Sequence, residues 1–206
     1  EHKDYTSAKK SILESLKKLN LDYIDLVIIH APQPWNSFRE GHYFKENKEV
    51  WKALEDLYEE GKVKAIGVSN FLIEDLKNIL EDCKIKPMVN QILTHISNTP
   101  LELIEFCKEN NIVLEAYSPI AHGEALKNEA IVQMAKKYKV TSAQLCIKYV
   151  IQLGMVALPK TANPSHMKDD IQLDFTISQD DMNTLIHMKK IEDYGEYTVF
   201  PVFSGK

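Results

Sequence analysis

Residues with useful chemistry fall at five places in this 206-residue sequence, each at the end of a short apolar run. YIDLVIIH ends on His30, KVKAIGVSN on Ser69 and Asn70, and PMVNQIL carries Asn90 and Gln91. IVLEAYSP reaches Tyr117 and Ser118, and MVALPKT ends on Lys160 and Thr161. Amide and hydroxyl side chains can fix the edge of a planar polar group, and an aromatic ring can cover a flat face. A lysine beside a helix start suits a phosphate. Taken alone, His30 reads as well as a core histidine bonded to backbone. Five polar endings in succession point instead to a ligand site.

The elements that must carry these residues alternate along the chain. TSAKKSILESLKKLN places Ala8, Ile12, Leu13, Leu16 and Leu19 on one helical face after a Thr/Ser cap. Val50, Trp51, Leu54, Leu57 and Tyr58 form a second stripe that stops at Gly61. Asn70 is positioned to cap the helix FLIEDLKNILEDC, and Pro100 stands near the start of NTPLELIEFCKENN. Thr141 and Gly154 bound TSAQLCIKYVIQLG, and Asn163 with Pro164 opens NPSHMKDDI. Five strands around Leu26, Ala65, Val89, Leu114 and Val156 are thus each followed by a helix, which predicts a parallel sheet covered by helices. Their apolar character predicts burial on both faces.

Composition excludes other classes. A net charge of −5 without a long Lys/Arg cluster argues against nucleic-acid or anionic-membrane partners. No apolar run approaches the roughly 20 residues of a spanning helix, and EHKDYTSAKK lacks the apolar core of a signal peptide, so a cytoplasmic location is expected. Cys83, Cys107 and Cys146 are widely spaced, with Cys107 and Cys146 reading as small core residues, and no spacing predicts a metal site. His95 and His122 lie near strand ends, where loop or surface roles are expected.

An open doubly wound sheet and a closed barrel would both place a site on the C-terminal strand edge. G-x-G-x-x-G is absent and the chain has seven glycines, which favours the barrel and a ligand held by side chains and helix N-termini.

The stretches LDYIDLVIIHAP, GKVKAIGVSNF, VNQI, EAYSP and LPKTANPSHMKDDI, in this order, resemble the aldo-keto reductases. That resemblance implies an α/β fold, a (β/α)8 TIM barrel, with residues 1–206 as a single domain holding five βα units and the C-terminal two-thirds of the barrel. It implies that His30 is the active-site histidine pointing at the substrate carbonyl. By the same resemblance Ser69, Asn70 and Gln91 bond the nicotinamide carboxamide, Tyr117 stacks on its ring, and Ser118 lies near the pyrophosphate. Lys160, Thr161, His166, Asp169 and Asp170 fall on the segment gripping the adenosine end. NADPH is the expected cofactor and NADH the alternative; His166 stands where many relatives carry an arginine, and neutral imidazole is a poorer partner for a 2′-phosphate.

The implied activity is reduction of an aldehyde or ketone to an alcohol, in a protein that is a monomer at full length and binds a small carbonyl substrate, neither nucleic acid nor membrane. Some features depart from the family pattern. Ala31 stands where relatives carry tryptophan, leaving Trp35 as the candidate pocket wall, and Leu93 replaces a glutamate. The family's aspartate, tyrosine acid and lysine find no counterpart here, and ~250 residues are typical of the barrel, so the N-terminal third is expected to be missing and the chain alone to be inactive. A noncatalytic nicotinamide-binding or regulatory protein is the competing expectation. The aromatic tail DYGEYTVFPVFSGK reads either as a loop over the substrate pocket or as structural cover.

Overall fold

Asp4 opens the first helix: its carboxylate accepts from the Ser7 amide, capping α1 (Tyr5–Leu19) ahead of the expected Thr/Ser cap. Ala8 and Leu16 of its apolar face are buried, whereas Leu13 and Leu19 are exposed. The computed structural model describes residues 3–204 and divides into two compact units, Glu1–Gln91 with Glu102–Val113, and Ile92–Leu101 with Leu114–Lys206.

In the first unit α1 is followed by β1 (Ile24–Ile29), α2 (Phe44–Glu59), β2 (Val63–Ser69), α3 (Ile73–Asp82), β3 (Val89–Leu93, whose last two residues belong to the second unit) and α4 (Leu101–Glu109, from Glu102 onward). The strands pair in parallel, with Leu26 against Ala65, Val68 against Asn90 and Ser69 against Gln91. The expected α2 stripe is buried at Val50, Trp51, Leu54 and Leu57, each contributing about 2 kcal/mol by leaving water. Its Trp51 Nε1 also donates to the Ile85 carbonyl. Gly61 ends the helix at φ 70°, a conformation that suits glycine.

The second unit contains β4 (Val113–Tyr117, from Leu114 onward), α5 (Glu124–Lys127), α6 (Glu129–Lys137), α7 (Ser142–Gln152), β5 (Val156–Leu158), α8 (Pro164–Asp170) and α9 (Gln179–Ile186). Here β4 and β5 are parallel neighbours, Ala116 facing Ala157. Thr141 and Asn163 cap α7 and α8 as expected, and Gly154 has φ 86°. Asp181 in the first turn of α9 accepts from Lys137 Nζ and the Tyr138 hydroxyl, which hold its carboxyl below the usual range.

Parallel strands each followed by a helix are the α/β pattern expected, but uniform strand burial is not found. β2 is largely buried, while β1 and β5 are half-buried to exposed. Each of those two pairs on one side alone among the described residues, so one edge lacks cover. Asn70 does not cap the next helix. That helix starts after Leu72, whose amide is taken by the Asp75 carboxylate. Cys107 and Cys146 are buried free thiols, pushed up to about 11 and about 12 by burial. Among the described residues no helix is long and apolar enough to cross a membrane.

Candidate active site

The ends of β1 and β2 and the middle of β3 bring four of the expected residues together in the first unit, Ser69 and Asn70 by their side chains and His30 and Gln91 by their backbone carbonyls. Gln91 does not end its strand as expected, because β3 runs on through Ile92 to Leu93. Ser69, the last residue of β2, is 1% exposed, and its hydroxyl donates to the Gln91 carbonyl at 2.9 Å. The Asn70 amide donates to that same carbonyl at 2.9 Å. The Asn70 side-chain nitrogen donates to Ser69 Oγ and to the His30 carbonyl, both at 3.0 Å. Register explains the meeting: parallel pairing sets Ser69 against Gln91, and Ile29, the last residue of β1, against Val68, one step before β2 ends.

Local conformation turns the Asn70 amide toward β1. Asn70 has φ 60°, a left-handed conformation that asparagine adopts more readily than most residues. Close strand approach contributes as well: a Cβ added to Gly67 would lie 2.7 Å from the Val89 carbonyl oxygen, so glycine lets β2 and β3 come together two residues before Ser69.

His30 follows β1 directly and its ring is exposed. Trp35 meets it edge-on, centroids 5.5 Å apart, and Phe38 stacks on the far side of Trp35 at 5.0 Å. Trp35 thus stands directly beside the histidine. A cavity of about 290 Å³ in this unit is lined by His30, Pro34 and Trp35 together with apolar residues of β1, α1 and α2.

Two residues that sequence reasoning passed over support this cluster. Arg39 donates to the Asp75 carboxylate at 2.7 Å and to the Asn70 carbonyl at 2.8 Å, and Asp75 is 1% exposed. The available signal was compositional: Arg39 is the sole arginine among 25 basic residues.

In the second unit Tyr117 ends β4, half-buried, its phenol pushed up by desolvation. Phe203 of the tail meets its ring edge-on at 6.4 Å. Ser118 has φ 52° and shares a hydrogen bond with His122 Nε2 at 3.1 Å. His122 stacks on Tyr197 at 3.9 Å and meets the Phe203 edge at 4.6 Å. The aromatic tail therefore packs on the loop that follows β4. His95 lies in the loop after β3, one of the two roles expected, but is fully buried there and not at the surface. Its Nδ1–H donates to the Ile96 carbonyl, leaving Nε2 to accept from the Tyr194 hydroxyl at 3.0 Å. Burial moves its pKa down to about 4.

Lys160 is exposed after β5 and Thr161 is half-buried, its hydroxyl accepting from the Asn163 amide at 3.1 Å. Asn163 in turn accepts from Ser165 at the start of α8. His166, Asp169 and Asp170 all lie on α8, the first two exposed. The Asp170 carboxyl is raised by burial, an effect that His166 opposes and Asp169 reinforces. Gln144 of α7 donates to the Asp169 and Gln172 carbonyls, both at 3.1 Å, and so anchors the end of this segment.

Known proteins resemble this chain over most of its length. Over 196 residues the chain is 38% identical to the glyoxal reductase of Bacillus subtilis (strain 168), matching 95% of this chain and 67% of that protein. It is 40% identical over 200 residues to the aldehyde reductase YPR1 of Saccharomyces cerevisiae, matching 86% of this chain and 64% of that protein. Its fold matches the aldo-keto reductase AKR2E5 of the silkworm Bombyx mori, solved in complex with NADPH, with a TM-score of 0.82 and 31% identity over 98% of this chain and 64% of that one. The chain thus spans about two thirds of the length of these proteins. The model of the Aldo/keto reductase family matches residues 1–189. Parallel βα units, the family model and these matches together show that the chain belongs to the aldo-keto reductase family, with its (β/α)8 barrel fold class.

Proposed function

We propose that this chain carries the histidine and cofactor-binding part of an NADPH-dependent reductase acting on a small aldehyde or ketone. The observation that carries the reading is the meeting of the Ser69 and Asn70 side chains with the His30 and Gln91 carbonyls on three neighbouring strands. Ser69, Asn70 and Gln91 are assigned to the nicotinamide carboxamide, which would exchange for the hydrogen bonds that the Ser69 hydroxyl and the Asn70 side-chain amide make to the Gln91 and His30 carbonyls and to each other. By the family resemblance Tyr117, at the end of β4, is assigned to stack on the nicotinamide ring. When bound, the reduced nicotinamide supplies the hydride that converts carbonyl to alcohol. The chain's own residues bind and orient. His30 is exposed where it can hydrogen-bond a carbonyl oxygen, and Trp35 restricts the space beside it. Lys160 is assigned to a phosphate of the adenosine end, with Thr161, His166, Asp169 and Asp170 on the same segment, and Ser118 is assigned to the pyrophosphate.

Of the four catalytic residues that the family resemblance implies, this reading assigns the histidine to His30 and assigns no residue of 1–206 to the tyrosine acid. A proton donor must reach the carbonyl within hydrogen-bonding distance. Residues 1–206 expressed alone are therefore expected to bind cofactor without consuming it. Fluorescence titration with NADPH and NADH tests the reading. NADPH should bind more tightly, and Lys160→Ala should weaken NADPH about tenfold while leaving NADH nearly unchanged. Equal affinities would refute 2′-phosphate recognition. Steady NADPH consumption with an added aldehyde would refute the expected inactivity.

A further inference from the structure

The chain uses lysine for every basic position but one, and the exception, Arg39, makes contacts that lysine cannot reproduce. One guanidinium nitrogen donates to Asp75 Oδ2 at 2.7 Å and the other to the Asn70 carbonyl at 2.8 Å. The guanidinium also lies over the Phe38 ring at 4.8 Å. The Arg39 amide donates to Gln33 Oε1 at 2.6 Å, and the residue has φ 64°. Asp75 uses the same oxygen to accept from the Leu72 amide, so one carboxylate sets both the start of α3 and the direction of the arginine fork.

These contacts converge on the turn from Asn70 to Leu72 and on the aromatic wall beside His30. Arg39 grips Asn70 by its carbonyl, while the Asn70 side chain reaches Ser69 Oγ and the His30 carbonyl. Through its stacking on Phe38 it also backs Trp35, whose edge meets the His30 ring. A planar fork with two acceptors fixes orientation as well as distance, whereas an ammonium fixes distance alone. The left-handed conformation of Asn70 persists when surrounding contacts over-determine it, and Arg39 supplies one of them.

We propose that Arg39 is a positioning residue for the nicotinamide carboxamide, acting through Asn70 and Trp35 without touching the cofactor; this rests on the cofactor reading above. The nearly buried pair with Asp75 makes Arg39 structural as well, so stability alone does not separate the two roles. Ligand choice does. NADPH carries the nicotinamide, while 2′,5′-ADP presents the adenosine end alone.

Arg39→Ala, Arg39→Lys and a destabilised comparison, Glu55→Gln, would be titrated with both ligands well below their melting temperatures. Glu55 is a buried acceptor for the Lys84 and Ile85 amides in the same unit. Arg39→Ala should weaken NADPH about tenfold and leave 2′,5′-ADP unchanged. Arg39→Lys should recover part of the lost melting temperature without recovering NADPH affinity, and Glu55→Gln should lower the melting temperature without changing either affinity. Wild-type NADPH affinity in Arg39→Ala, full recovery of that affinity in Arg39→Lys, or equal loss for both ligands would overturn the positioning role alone. Failure of the wild-type chain to bind NADPH would overturn the cofactor reading and the positioning role together.

Discussion

His95 shows how burial, rather than charge, defines a residue in this chain. Fully buried, with both ring nitrogens committed to Ile96 and Tyr194, it titrates at about 4 instead of near 6.5. The unfolded chain therefore takes up a proton at His95 as pH falls below about 6.5, while the folded chain resists until about 4. Stability should drop across that window by on the order of 3 kcal/mol, then become independent of this group below it. Urea denaturation from pH 7 to pH 4 should show the decline in the wild type and a flatter profile in His95→Gln, with a smaller slope remaining from His122, whose pKa burial also lowers. The strand-end places of His30, Ser69, Asn70 and Tyr117 were legible in sequence because each closes an apolar run, whereas β3 runs on past Gln91 to Leu93. Arg39 was not, since its partners Asp75 and Asn70 lie 36 and 31 residues away and meet it only after the intervening loop is placed. The burial of His95 was hidden for the same reason, because Tyr194 lies 99 residues further on.

At the scale of elements, the approach of β2 to β3 controls where Ser69 and Gln91 meet. Gly67 permits it, and an added methyl would collide with the Val89 carbonyl and approach the Ile28 side chain. Gly67→Ala should destabilise the protein by about 1–3 kcal/mol, read by chemical denaturation, and should weaken NADPH binding because the clash lies two residues before Ser69. Wild-type stability would show that the strands have slack there. The alternation of strands and helices was readable from periodicity, as were the caps Thr141 and Asn163, because each is a local pattern. Exposure of β1 and β5 was not, for the apolar sequence of a strand does not report how many neighbours it has. Asp4 displaced the expected Thr/Ser cap because its carboxylate reaches the Ser7 amide, and Asn70 gave up the capping role to bond His30 and Ser69.

For the molecule as a whole, family membership sets the fold class, and the strand-end chemistry sets the proposed ligand. The first unit holds the amide and hydroxyl cluster beside His30; the second holds Tyr117, the aromatic tail and the Lys160 segment. A nucleotide or phosphate binder of unrelated chemistry would need the latter segment and have no use for the former cluster. Saturation-transfer NMR on NADP⁺ mixed with the chain separates these cases, since nicotinamide and adenine protons are read individually. Strong transfer to the nicotinamide protons as well as the adenine protons is expected in the wild type, with the nicotinamide signals falling selectively in Asn70→Ala. Transfer confined to the adenine and ribose protons, or absent altogether, would contradict the central claim that these strand ends hold a nicotinamide.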